Sequence, residues 1–179
     1  MKSIPQQWLR RLPGVCHRYR PWLLDRGSLT RRIQERCAAF SVRKVRQRRA
    51  RANVDETVLV GLRPTVRTGV REVYLYCGET PVVFAHSVLP EKSLRGAWGG
   101  LGRLGSKPLG AVLFDNPNVR RTPLQFRKVN PHHNLYRRAC RELSSPPSTL
   151  WARRSVFSLH GRPILVTEVF LPGILELPQ

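Results

Sequence analysis

The chain has no run of 18 apolar residues, so no segment reads as a membrane-spanning helix. Its beginning lacks a secretory hydrophobic core: the stretch from Leu9 to Arg20 is broken by Arg, Pro and His, and a cytoplasmic location is expected. Cysteine is sparse. Cys16, Cys37, Cys77 and Cys140 form no CxxC pair and fit no zinc spacing. They are expected to be free buried thiols, because a disulfide framework does not suit a cytosolic chain of this size. No GK[ST] phosphate loop and no GxSxG nucleophile motif occurs, and the five histidines make no convincing metal set with the cysteines and carboxylates.

Negative charge is also scarce, with 11 acidic residues against 32 basic ones and a formal net charge of +21. The imbalance is concentrated early, since residues 1–51 hold 15 of the basic residues and 2 of the acidic ones. Within it, Arg43-Lys-Val-Arg-Gln-Arg-Arg-Ala-Arg51 has six basic residues in nine. Such a patch suits a polyanion. Zinc-finger spacing, RNP aromatics and a helix-turn-helix are all missing, so a nucleic-acid partner is not expected. Because 5 of the 32 basic residues are lysine, the composition is arginine-biased and a solvated basic face is the simpler reading.

What is present is a core-forming content of 41% hydrophobic residues in 179, enough for one domain. Residues 1–18 read as irregular and basic. A short helix is expected from Arg20 to Asp25, and a second from Leu29 to Ala38 behind the N-cap Ser28. Phe40 to Arg48 reads as a strand with a basic outer face. Asn53 to Pro64 is ambiguous. Gly69–Tyr76 and Pro81–Leu89 read as a hairpin about Gly78-Glu79. The glycine-rich run from Ala97 to Lys107 reads as a mobile connection or lid. Pro108 opens a helix over Leu109–Phe114. Val119–Val129 is a strand weakened by Pro123, Asn130–Leu143 is polar and helical in tendency, and Leu150–Leu171 is a closing hairpin. Strands joined by tight turns imply an α+β domain built on an antiparallel sheet.

Two charges stand inside apolar strands. Alternation places Glu168 on one face with Ile164, Val166 and Phe170, and Arg71 on one face with Val73 and Leu75. Each is costly there without a partner. Either belongs to a buried ion pair, Arg71 with Glu72 for instance, or together they form a pocket with a fixed cation for a carboxylate and a tunable acid or base. Leu29 and Leu109 both fall at helix N-termini, where amides point outward and favour anions. Of the histidines, His86 merits a test, on a strand face with Phe84 and Val88.

At these same residues the sequence resembles the chorismate lyase (chorismate pyruvate-lyase) family. The likeness is carried by Trp22-Leu-Leu-Asp-Arg-Gly-Ser-Leu-Thr-Arg-Arg32, Arg71-Glu-Val-Tyr-Leu75, Val88-Leu-Pro90, Leu104-Gly-Ser-Lys-Pro-Leu-Gly-Ala-Val-Leu-Phe114 and the closing hairpin. The resemblance implies one chorismate lyase-like domain over residues 1–179, with about six antiparallel strands, helices packed on them, and flaps over a buried site. It implies conversion of chorismate to 4-hydroxybenzoate and pyruvate, an early step toward ubiquinone, with no cofactor and no metal. Arg71 and Glu168 match the family's ligand-binding side chains, and Leu29 and Leu109 match its backbone contacts. On this basis Arg71 and Glu168 are the expected catalytic pair, with Glu168 near the ether oxygen. The family carries Arg where His86 stands. A monomer is expected. The alternatives are a non-catalytic ligand-binding module of the same fold, as in some bacterial transcription regulators, and a basic polyanion-binding protein.

Overall fold

The computed structural model describes residues 7–14 and 18–178. Its centre is one antiparallel sheet of seven strands, β1 (Phe40–Arg51), β2 (Arg67–Cys77), β3 (Thr80–Leu89), β4 (Arg120–Arg121), β5 (Gln125–Val129), β6 (Leu150–Leu159) and β7 (Arg162–Phe170). The order is β1-β2-β3-β7-β6-β4, and β5 also pairs with β6. The two short strands β4 and β5 therefore share one edge of β6, and the sheet is six positions wide. They are the two halves of the expected Val119–Val129 strand, interrupted around Pro123, which has no N–H for the ladder.

The closing hairpin turns at His160-Gly161, with φ of 49° and 72°, the positive values that a two-residue turn needs. From that turn the register runs without a slip from Leu159 opposite Arg162 to Arg153 opposite Glu168. The β2–β3 pairing starts at Cys77 opposite Thr80 but shifts by one between Leu75 and Tyr76, so Glu72 faces His86 and Arg71 faces Ser87.

Because side chains alternate, the sheet has two dissimilar faces, both covered. One carries Val73, Leu75, Trp151 and Phe170 under Trp22 and Ile33, and continues as Phe157, Ile164 and Val166 under Trp98, Leu101 and Leu109. The other carries Tyr74, Phe84 and Val169 under Leu135 and Tyr136, and Val88 and Leu165 under Val60. The helices that do the covering are short: α1 (Arg20–Leu24), α2 (Leu29–Gln34), α3 (Val54–Thr57), α4 (Glu91–Leu94), α5 (Leu109–Phe114) and α6 (Asn134–Ala139). Helix α2 ends at Gln34, earlier than its apolar spacing suggests. The ambiguous Asn53–Pro64 stretch resolves into α3 and a 3₁₀ turn over Val58–Val60. The glycine-rich run is pinned rather than bare: Trp98 and Leu101 are buried, and Gln47 Nε2 donates to the carbonyls of Leu101 and Gly102.

The expectation for the cysteines changes, and the irregular N-terminal segment gains one contact with the sheet. Residues 1–6 and 15–17 of the basic N-terminal segment lie outside the described residues, but Leu9 forms an antiparallel bridge with Phe126 and docks that segment on the sheet. Cys37 and Cys77 are joined in a disulfide, with Cα atoms 5.8 Å apart, rather than free; Cys140 is free, and Cys16 is outside the described residues. The pairing unites the segment after α2 with the end of β2, elements 40 residues apart in sequence, a proximity made by packing and not by local spacing.

The basic edge strand β1 behaves as a solvated face with local partners. Arg43 pairs with Glu79 at 2.8 Å, Arg46 with Glu72 at 2.6 Å and Arg49 with Glu91 at 2.6 Å. Charged side chains along an exposed edge also oppose pairing with another chain.

Candidate active site

A cavity lies on the first face of the sheet. Its floor is built by alternate residues of four central strands: Arg71, Val73 and Leu75 from β2, Ala85 and Ser87 from β3, Val166 and Glu168 from β7, and Ser155 and Phe157 from β6. Its roof is the facing ends of α2 and α5, through Leu29, Thr30, Pro108, Leu109 and Gly110. All four residues singled out in the sequence thus meet at one cavity.

Arg71 is 2% exposed. One terminal nitrogen donates to the carbonyls of Lys107 at 2.9 Å and Gly105 at 3.2 Å. Among the described residues its Nε is buried without a hydrogen-bond partner, and no carboxylate pairs with it. The expected alternative partner, Glu72, is next in the strand and points through to the opposite face. Burial holds the guanidinium below its ordinary pKa, the signature of a cation poorly compensated by its surroundings.

Glu168 has a partner that sequence reasoning missed. Arg153 faces it directly across β6–β7, and the Arg153 Nε donates to Glu168 Oε2 at 2.5 Å. Arg153 is fully buried, and its second arm donates to the carbonyls of Trp22 at 2.8 Å and Asp25 at 2.6 Å, at the end of α1. The carboxylate is therefore both compensated and oriented, while 18% of its side chain stays exposed on the cavity side. The register could have revealed this pair: from a two-residue turn at His160-Gly161, counting back six residues on each arm brings Arg153 opposite Glu168.

Arg71 and Glu168 sit two strands apart and two residues apart along the strands. At about 4.8 Å per strand and about 3.4 Å per residue, their Cα atoms are separated by roughly 12 Å on a common face.

The roof depends on close approach. A Cβ at Gly110 would lie 3.0 Å from both Ser28 Oγ and Thr30 Oγ1, so the absence of a side chain there lets the two helix starts touch above the cavity. Ser28 caps α2 by accepting from the Arg31 amide at 3.3 Å, whereas Pro108 gives α5 no side-chain cap. Leu29 and Leu109, the first residues of α2 and α5, both line the cavity.

His86 is not part of the cavity lining. It is on the opposite face, 1% exposed, between Glu72 at 2.9 Å and Glu56 at 3.3 Å. Burial alone would push the imidazole down, but Glu56 and then Glu72 outweigh it and raise its pKa to about 9. Glu72, raised by burial yet drawn down more strongly by His86, Arg46 and Arg138, falls to about 2. Among the described residues no group of three His, Cys, Asp or Glu side chains is arranged to hold a metal ion.

Known structures share the antiparallel-sheet fold. The effector domain of PhnF from Mycobacterium smegmatis matches with a TM-score of 0.58 at 14% identity, covering 84% of this chain and 91% of that one. A GntR-family transcriptional regulator from Bacillus cereus matches with a TM-score of 0.55 at 10% identity, covering 75% and 93%. At such identities the likeness is one of fold. Sequence carries the assignment further. The family model described as chorismate lyase matches residues 7–177. A probable chorismate pyruvate-lyase of Nitrosospira multiformis is 59% identical over 165 residues, covering 92% of each chain. One from Nitrosomonas europaea is 57% identical over 156 residues, covering 87% of this chain and 88% of that one. This chain belongs to the chorismate lyase family, a family of lyases.

Proposed function

We propose that the protein converts chorismate to 4-hydroxybenzoate and pyruvate as an early step toward ubiquinone, acting as a single-domain monomer in the cytoplasm. The observation that carries this reading is Arg71, a buried arginine whose Nε has no hydrogen-bond partner and which pairs with no carboxylate among the described residues, lining a cavity that Glu168 also lines. In the proposed complex Arg71 and the Leu29 and Leu109 amides hold the ring carboxylate, and Glu168 meets the para position.

Atom balance revises the expected role of Glu168. The ether carbon–oxygen bond breaks, and the ether oxygen leaves as the keto oxygen of pyruvate. The hydrogen on the neighbouring ring carbon is lost, and a new C–H bond forms at the side-chain methylene, which becomes the methyl group. The phenol oxygen is the ring hydroxyl that chorismate already bears, para to its carboxylate. Glu168 is thus proposed to accept a hydrogen bond from this hydroxyl, beside the carbon that loses its hydrogen, and not to protonate the ether. The hydrogen passes either directly to the methylene within the substrate or by way of Glu168. Electrons balance without an external oxidant, and aromatisation drives the step. The protein contributes orientation and a dry surround.

The test is to incubate the purified chain with chorismate and follow pyruvate and 4-hydroxybenzoate. Their release in equal amounts is expected. Absence of both from folded protein that still binds 4-hydroxybenzoate would instead favour a ligand-binding module, the reading to which the fold likeness lends support. For the compartment, no helix among the described residues is long and apolar enough to cross a membrane. In a reducing cytoplasm Cys37 and Cys77 would be held as a dithiol.

A further inference from the structure

The ring-carboxylate site accounts for one of the two negative charges on chorismate. The cavity offers a second cation. Arg121, from β4, lines the cavity beside Ser155 and Phe157, and the same residue lines a solvent-open cleft on its outer side. Its Nε donates to Ser155 Oγ at 2.8 Å, and one terminal nitrogen donates to the Arg26 carbonyl at 2.7 Å. Its guanidinium carbon lies 5.0 Å from the Phe157 ring centre and 5.4 Å from that of Phe114. Among the described residues no carboxylate is within ion-pair distance, although Glu168, Arg153 and, more weakly, Asp25 are near enough to act on it electrostatically. Two neutral acceptors and two rings therefore hold an arginine in place without neutralising it. The outer cleft adds Arg10, Arg11, Arg20 and Arg26 and has no acidic residue among the described residues of its lining.

We infer that Arg121 binds the side-chain carboxylate of chorismate, at the boundary between the cavity and the arginine-lined cleft. This rests on the lyase reading above and extends it to the leaving half of the substrate. The enolpyruvyl ether sits on the ring carbon next to the one bearing the hydroxyl. With that hydroxyl at Glu168, the ether side chain extends sideways along the floor, and Ser155 and Phe157 lead from β7 to Arg121. A fixed carboxylate there restricts rotation about the ether bonds and holds the methylene over the ring hydrogen it receives. Pyruvate is then released facing the basic cleft, while the aromatic product remains under the roof. Arg121 is thus a substrate-binding residue that discriminates dianion from monoanion.

The experiment compares wild type, Arg121→Gln and Arg121→Lys for the KM of chorismate and the inhibition constant of 4-hydroxybenzoate. Folding is verified by thermal melting. Arg121→Gln is expected to raise KM about tenfold to a hundredfold, as for loss of a charge-assisted contact. Product inhibition should change less than twofold, and Arg121→Lys should recover part of the loss. Higher ionic strength should raise the wild-type KM more than the product constant. An unchanged KM, or equal loss of chorismate and 4-hydroxybenzoate binding, would overturn the inference while leaving the lyase reading intact. A wild-type chain that neither cleaves nor binds chorismate would remove both.

Discussion

Replacing His86 by Gln separates the buried network behind the sheet from the cavity in front of it. The folded imidazole has its pKa raised from 6.5 to about 9, so it carries its proton where an unfolded histidine has lost it. At about 1.4 kcal/mol per pH unit, the linkage amounts to about 3 kcal/mol. Since His86 is 1% exposed, solvent screening does not reduce it much. A raised pKa gives stability that is complete below 6.5 and disappears as pH climbs through 9. The carboxylate partners act at the other end. Glu72, lowered to about 2, contributes above 4.5 and loses its contribution as pH falls toward 2. These are the same contacts seen from two sides, so the energies are not summed. Urea unfolding followed by circular dichroism at constant ionic strength should show the wild type losing about 3 kcal/mol more than His86→Gln between pH 6 and pH 9.5. The variant should be weaker at pH 6 and should bind 4-hydroxybenzoate with unchanged affinity after correction for folded fraction. Parallel stability curves for the two proteins would refute the network argument. A selective loss of ligand affinity would refute the placement of His86 behind the sheet.

Three further outcomes are expected. Glu168→Gln keeps an acceptor for the ring hydroxyl but breaks the charge pair with Arg153; steady-state pyruvate release should fall by at least tenfold, and unchanged turnover would exclude a proton-transfer role. Arg71→Ala should weaken 4-hydroxybenzoate binding by roughly 2–5 kcal/mol in calorimetry, the range for truncating a buried charge partner, without a matching loss of thermal stability. Reducing Cys37–Cys77, or replacing both by Ala, opens a loop spanning 40 residues and should lower unfolding stability by about 2–4 kcal/mol by urea titration; alkylation and mass measurement would report the oxidation state directly.

What the sequence made legible followed short-range periodicity. Glu168 and Arg71 could be assigned faces because strand side chains alternate, and both hairpins could be located from their turn residues. Arg153 escaped notice because adjacent arginines occupy a chain rich in them. Charge alone does not distinguish Arg153, buried toward α1, from Arg154, which reaches Asp55 on the other face at 2.7 Å. The Glu72–His86 contact was hidden by the register shift between Leu75 and Tyr76: counting from the turn without it offsets every later pair by one. The disulfide and Arg121 were beyond such counting altogether, since each depends on segments brought together by the sheet and its roof.

The Arg71 guanidinium also ties down the loop ahead of α5 through the Gly105 and Lys107 carbonyls. In the proposed complex one cation therefore fastens the roof and grips the aromatic acid beneath it. Escape of that acid and opening of the loop become a single event, with no independent adjustment of grip and gate at Arg71. A faster-releasing variant would have to come from loop positions such as Gly105, whose φ of 54° already restricts what can replace it. Residence time of the product is in this sense written in the backbone of the roof.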